Sequence, residues 1–178
     1  MKKIIIISTS LRVNSNSELL AKRVMEGALA NGNEVELVSL RDKNIVFCKG
    51  CLACQRLGKC VINDDANAIT DKIAEADVII WATPIYYYEM SGQMKTMIDR
   101  ANSLYSRERN FKEVYLLATA AEGEDDVPNR AIEGLKGWVD CFDDVEFKGC
   151  YFVGDVNDPK DILQSKKYEK AYDFGRKI

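Results

Sequence analysis

Residues 4–7 are four consecutive isoleucines that end in Ser8-Thr9-Ser10, the pattern of a strand buried on both faces whose carboxyl end opens into a polar loop. The period then changes. Ser15 and Glu18 form a capping-box signature, Leu20, Val24 and Ala28 mark the apolar stripe of a helix, and Gly32 stops it. Residues 35–40 read as a second strand. Asp64 or Asp65 suits the cap of a helix carrying Ile69 and Ile73, and residues 78–82 follow as a third strand. Ser91 can cap the next helix, where Met94, Met97, Ile98 and Ala101 fall at i, i+3, i+4 and i+7. A fourth strand over residues 114–119 precedes a helix that starts near Pro128 and buries Ile132, Leu135, Val139 and Phe142. Residues 147–153 make a fifth strand. Asp158-Pro159 then signals the start of a terminal helix carrying Tyr168, Ala171 and Tyr172.

Strict alternation of strand and helix implies an α/β fold, a parallel sheet covered on both faces. In such sheets ligands bind beyond the carboxyl ends of the strands, where the strand order reverses, and three loops fall there. Residues 8–17, STSLRVNSNS, bring hydroxyls, asparagines and Arg12 to a helix N-terminus with unsatisfied N–H groups, which suits a phosphate; the same residues also serve simply as caps and turn formers. Residues 83–88, Thr-Pro-Ile-Tyr-Tyr-Tyr, place three adjacent tyrosines at the same edge. All three cannot face the core, so at least one is expected at a cleft or, alternatively, over a helix or subunit interface. Residues 119–123 are small and polar enough for close approach to the backbone.

With 178 residues, 47% of them hydrophobic, the chain is expected to form one domain over residues 1–178, with no repeat or linker. A net charge of −3, from 25 basic and 28 acidic residues without a basic stripe, argues against nucleic acid as a partner. The apolar run at residues 4–7 is too short for a secretory signal or a membrane span, so a cytoplasmic protein with no membrane partner is expected. Neither G-x-x-x-x-G-K-[ST] nor G-x-G-x-x-G is present. Histidine is absent altogether, which removes Ser-His-Asp and Cys-His catalysis and leaves carboxylates, thiolates or a cofactor to carry any chemistry.

Cys48, Cys51, Cys54 and Cys60 stand as C-x2-C-x2-C-x5-C, with Gly50 and Gly58 positioned to let the backbone wrap a metal centre. Three cysteines at successive two-residue gaps are closer to a ferredoxin run than to the two separated knuckles of a zinc site. A zinc staple, a disulfide and free thiols remain alternatives. Cys141 and Cys150 lie outside this cluster.

Together these segments resemble the flavodoxin-like NAD(P)H-dependent FMN reductases, and most closely their iron-sulfur flavoprotein branch. The resemblance rests on the Ser10, Arg12, Asn16, Ser17 loop, the cysteine run followed by Asp64-Asp65, and TPIYYYEMSGQMKTMIDR at residues 83–100. It implies a three-layer sandwich around a five-stranded parallel sheet of order 2-1-3-4-5. It further implies that Ser10, Arg12, Asn14, Asn16 and Ser17 hold the phosphate of FMN. Thr83, Pro84, Ile85, Tyr86, Tyr87 and Tyr88, with Thr119, Ala120 and Gly123, would line the ribityl chain and isoalloxazine. No side chain is expected to be catalytic, because the flavin carries the chemistry. The four cysteines would ligate a [4Fe-4S] cluster, the donor would be NAD(P)H or a ferredoxin, and the chain would form a homodimer or homotetramer. Thr9 and Leu11 depart from the glycine and proline common in the family's first loop. A phosphatase of the low-molecular-weight tyrosine type fits poorly because no cysteine has an arginine after five intervening residues, and a receiver domain because the first and third strands end without acidic residues. Three functions remain: an iron-sulfur flavoprotein, a cluster-free NAD(P)H-dependent reductase of flavins, quinones or nitro compounds, and a non-enzymatic flavin- or zinc-binding module.

Overall fold

The computed structural model describes all residues, Met1–Ile178. Strands β1 (Lys3–Ser8), β2 (Glu34–Ser39), β3 (Val78–Tyr86), β5 (Glu113–Thr119) and β6 (Glu146–Val153) form a parallel sheet of spatial order β2-β1-β3-β5-β6. This is the expected topology with one addition. A two-residue strand, β4 (Glu89–Met90), folds back antiparallel onto the end of β3, because the chain reverses through Tyr87 and Tyr88 at φ of 51° and 65°.

The isoleucine run explains the layering. Alternate residues of a strand face opposite sides, so Ile4 and Ile6 join one core with Leu20, Val24, Ile80 and Ala171, while Ile5 and Ile7 join the other with Trp81, Met94, Leu116 and Leu135. Helices α1 (Asn16–Ala30) and α6 (Lys166–Gly175) supply the first layer, and α3 (Asp65–Glu75), α4 (Gly92–Arg100) and α5 (Asn129–Val139) the second. The second core also carries an aromatic cluster, in which Trp138 stacks on Phe111 at 6.0 Å and meets Trp81 edge-on at 6.1 Å.

Several local expectations change. Ser15 caps α1 by accepting from the Glu18 N–H, yet the Glu18 carboxylate turns away to Lys22 and Arg41, so only half of the capping box forms. Phe142 is buried beyond the end of α5 rather than within it. Asp158-Pro159 does not start the terminal helix: a 3-10 turn at Asp161–Gln164 intervenes, and Ser165 caps α6 through the Lys167 N–H. Within the cysteine segment lies a short helix, α2 (Ala53–Leu57), which has no apolar period and was not anticipated. No helix is long and apolar enough to cross a membrane.

Candidate functional site

Sheet order reverses between β1 and β3, and a cleft of about 350 Å³ opens at their carboxyl ends. One side is the start of α1. Ser10, Asn16 and Ser17 are nearly buried there, Arg12 is exposed, and the Ser17 hydroxyl is fully buried without a hydrogen-bond partner. Pro84, Ile85 and the three tyrosines form the opposite rim, with Tyr87 97% exposed. Thr119, Ala120, Ala121 and Glu122 close the β5 side. Arg12 and Glu122 are the only charged side chains that line the cleft.

Beneath the floor lies a network of hydroxyls. Thr9 donates to the Ala82 carbonyl at 3.0 Å and accepts from Ser91, whose own oxygen caps α4 by accepting from the Met94 N–H at 3.3 Å. Thr83 donates to the Pro84 carbonyl at 2.9 Å and accepts from the Ser91 N–H at 3.0 Å. The hydroxyls of Thr9, Thr83 and Ser91 are thereby satisfied. Thr9, which departs from the family's glycine, is a floor residue, and its inward turn leaves Ser10 facing the cleft.

Three expected site residues are not in the lining. Thr83 belongs to the floor network, Asn14 is an exposed turn residue at φ 54°, and Gly123 sits in the neighbouring hollow against Asp155. Asn16 lines the cleft, but both ends of its amide are engaged elsewhere: Nδ2 donates to the Asp158 carbonyl at 3.0 Å and Oδ1 accepts from the Ile162 N–H at 3.2 Å. Ser15, Ala121 and Glu122 lie within the expected loops 8–17 and 119–123 without having been singled out, and only Val156 and Asn157 come from outside them. The Ser15 hydroxyl reads locally as a helix cap, and nothing in the sequence pattern marks the β6–α6 connection as part of a site.

The cleft fits a flavin mononucleotide. An N-terminal helix end, a free buried hydroxyl and one arginine suit a phosphate, while proline and tyrosine rims suit a flat ring.

Cys48, Cys51, Cys54 and Cys60 all line one small cavity of about 30 Å³. Gly50, Leu52 and Gly58 take positive φ of 64°, 56° and 67°, which curls the segment round it. The Asn102 amide donates to the Cys54 sulfur at 3.2 Å, and the Gly50 N–H to the Cys48 sulfur at 3.4 Å. Four thiols on one cavity suit iron chemically, yet no three metal-ligating side chains converge as a metal-binding group. Cys48 and Cys51 are exposed. Cys150, outside the cluster, is pushed up to about 12 by burial, so it stays a thiol.

An ion pair holds this segment to the domain. Arg100, at the end of α4 and fully buried, meets Asp64 at 2.5 and 2.8 Å and donates to the carbonyls of Val46 and Ile62 at 2.6 and 3.2 Å. Both arms of the cysteine loop are thus tied to one guanidinium. Burial disfavours the charge on Asp64, but hydrogen bonds from Arg100, Val46 and Ala66 outweigh it and hold the carboxyl below its ordinary range.

A family model described as NADPH-dependent FMN reductase matches residues 2–153. An iron-sulfur flavoprotein of Methanocaldococcus jannaschii is 40% identical over 102 residues, 57% of this chain and 53% of that protein. The chain spans about half the length of the first curated relatives it matches. A Bacillus subtilis protein named as an NAD(P)H-dependent FMN-containing oxidoreductase is 27% identical over 175 residues, 91% of this chain and 90% of that one. Among solved structures, an azoreductase from Bacillus anthracis superposes over 100% of both chains with a TM-score of 0.73 at 13% identity, a likeness of fold.

Proposed function

The chain belongs to the NADPH-dependent FMN reductase family, and on that premise we propose that it is an FMN-dependent oxidoreductase of the iron-sulfur flavoprotein kind. One observation carries the reading: a cleft at the sheet's switch point joins a helix N-terminus, an unpartnered buried Ser17 hydroxyl and Arg12 to an aromatic rim. When bound, FMN supplies hydride and single-electron chemistry. The protein's part is to bind and orient it. Ser10, Ser17 and Arg12 hold the phosphate, and the Pro84–Tyr88 rim packs on the ring.

The cysteine loop supports the finer reading. Its four thiols share one cavity, and the Methanocaldococcus relative is named an iron-sulfur flavoprotein. Cys48, Cys51, Cys54 and Cys60 would hold the cluster, with a ferredoxin-type or NAD(P)H donor. A second reading is favoured by the lack of a converged metal group and by the near-full-length Bacillus relative: an NAD(P)H-dependent reductase whose cysteines hold no metal. A homodimer or homotetramer, in which the exposed tyrosines meet a second copy, fits either reading.

Anaerobic purification followed by flavin, iron and acid-labile sulfide analysis tests both levels. FMN with near-stoichiometric iron and sulfide is the expected result. FMN without iron, after reconstitution with iron and sulfide, selects the cluster-free reductase, and failure to bind FMN sinks the flavin reading itself.

A further inference from the structure

The cleft has a fourth wall that the sequence did not reveal. Residues 154–162 leave β6 and contribute Val156 and Asn157 to the lining, and they begin where the family match ends, at residue 153. This segment is fastened from three directions. On the α1 side, Asn16 spends both ends of its amide on Asp158 and Ile162, and Arg12 Nη1 donates to the Asn157 carbonyl at 2.9 Å. On the β5 side, a Cβ at Gly154 would stand 2.4 Å from the Glu122 oxygen, so the two loops touch backbone to backbone. Within the wall, Asp161 Oδ2 accepts from the N–H groups of Asn157 and Asp158 at 3.0 and 2.7 Å.

We propose that Asn16 is a positioning residue, which holds residues 154–162 as a wall of the cleft and so fixes the exposed Arg12 guanidinium at the anion end. Asn16 is only 7% exposed, and the wall already takes its donor and its acceptor. A phosphate would have to compete with both. Arg12, in contrast, has one nitrogen on the Asn157 carbonyl and leaves its remaining N–H groups for an anion. The wall therefore acts on flavin through Arg12, an effect that rests on the flavin reading above. Its effect on the protein's own mobility does not.

Hydrogen–deuterium exchange on the flavin-free full chain, with FMN and riboflavin titrations alongside, tests this. In Asn16→Leu, which loses two hydrogen bonds without adding charge, residues 154–162 are expected to exchange about tenfold faster while β1 and β3 stay unchanged. Asn16→Asp keeps the acceptor for Ile162 but not the donor for Asp158, so a smaller acceleration is expected there, and it serves if the leucine variant does not fold. Asp161→Ala loosens the same wall from its other end and should reproduce the acceleration. Both Asn16→Leu and Asp161→Ala should weaken FMN more than riboflavin. Unchanged exchange in the Asn16 variants would overturn the proposal. So would an FMN loss in Asn16→Leu that Asp161→Ala does not share, since Asn16 would then be a direct ligand. A wild-type chain that binds neither flavin defeats the flavin reading, and the exchange measurement still decides the wall.

Discussion

The flavin-type cleft and the cysteine loop differ in what holds them. The cleft stands on strand ends: β1, β3 and β5 pass through the center of the sheet, and the residues after them inherit fixed positions from the ladder and from a satisfied hydroxyl floor. The cysteine loop leaves the edge strand β2 and has mostly exposed side chains, Phe47 at 77% and Leu52 at 58% among them. Its most buried tie to the domain is one ion pair. A site built on strand ends inherits its shape from the ladder, whereas this loop depends on a few side-chain ties, of which the Arg100–Asp64 pair is the most buried and Asn102 on Cys54 and Asn67 on Cys60 and Ile62 are others.

Removing the tie should have the largest effect. Arg100→Ala leaves the Asp64 carboxylate buried without its cation and removes the guanidinium bonds to the Val46 and Ile62 carbonyls, and is expected to lose about 3–5 kcal/mol in urea unfolding. A loss below about 1 kcal/mol, the range of an exposed pair, would show that the loop is held otherwise. The pair also gives a pH signature. Because the folded pKa of Asp64 lies below its ordinary 3.8, its contribution is complete above that value and disappears as pH falls through the depressed folded value. Acid titration of wild type against Asp64→Asn should show that difference vanish in this low window and nowhere near neutrality.

On the cleft side, Arg12→Ala is expected to weaken FMN by about 10–100-fold, the worth of a charge-assisted hydrogen bond, and riboflavin far less. Equal loss for the two ligands would contradict a phosphate contact. Fold stability should hardly move, since Arg12 is exposed, and this contrast with Arg100 is the sharpest test of the comparison. Gly154→Ala is expected to cost about 1–3 kcal/mol, because the added carbon meets backbone at 2.4 and 2.6 Å rather than a movable side chain. Thermal melts of the flavin-free protein would measure it.

The smallest effect is expected at the tyrosine turn. In Tyr87→Gly, relief of a left-handed backbone at φ 51° opposes the entropy of glycine in the unfolded chain, and the ring itself is almost fully exposed. The net change should stay within about 0.5 kcal/mol. A loss above that in a concentration-dependent melt would reveal that the ring is buried against a second copy.

Legibility in the sequence followed range. The isoleucine run, the Ser15 and Ser91 caps and the methionine stripe of α4 are local signals, and each appears where its period places it. That residues 10–17 and 84–88 meet at a cleft is legible for the same reason, as both segments continue directly from buried strands. The partners of Thr83 and Asn16 are not legible in the sequence, because a hydroxyl or amide does not announce its partner. Thr83 faces Ser91, and Asn16 faces residues 158 and 162, contacts that span 8, 142 and 146 positions. The fourth wall was invisible because residues 154–162 have no hydrophobic period, only a backbone bent by Asp155 and Lys160 at φ 58° and 76°.

By itself the sequence determined the alternation of strand and helix, the two-sided core and the presence of four thiols within one short segment, since these depend on side-chain chemistry and on periods of two and 3.6. Only the tertiary structure decided which polar side chains face the cleft and which are consumed holding it, and that both arms of the cysteine loop end on one arginine. Hydrogen bonds are satisfied by whichever partner the fold brings within about 3 Å, and that partner is set by packing across the sheet, not by neighbours along the chain.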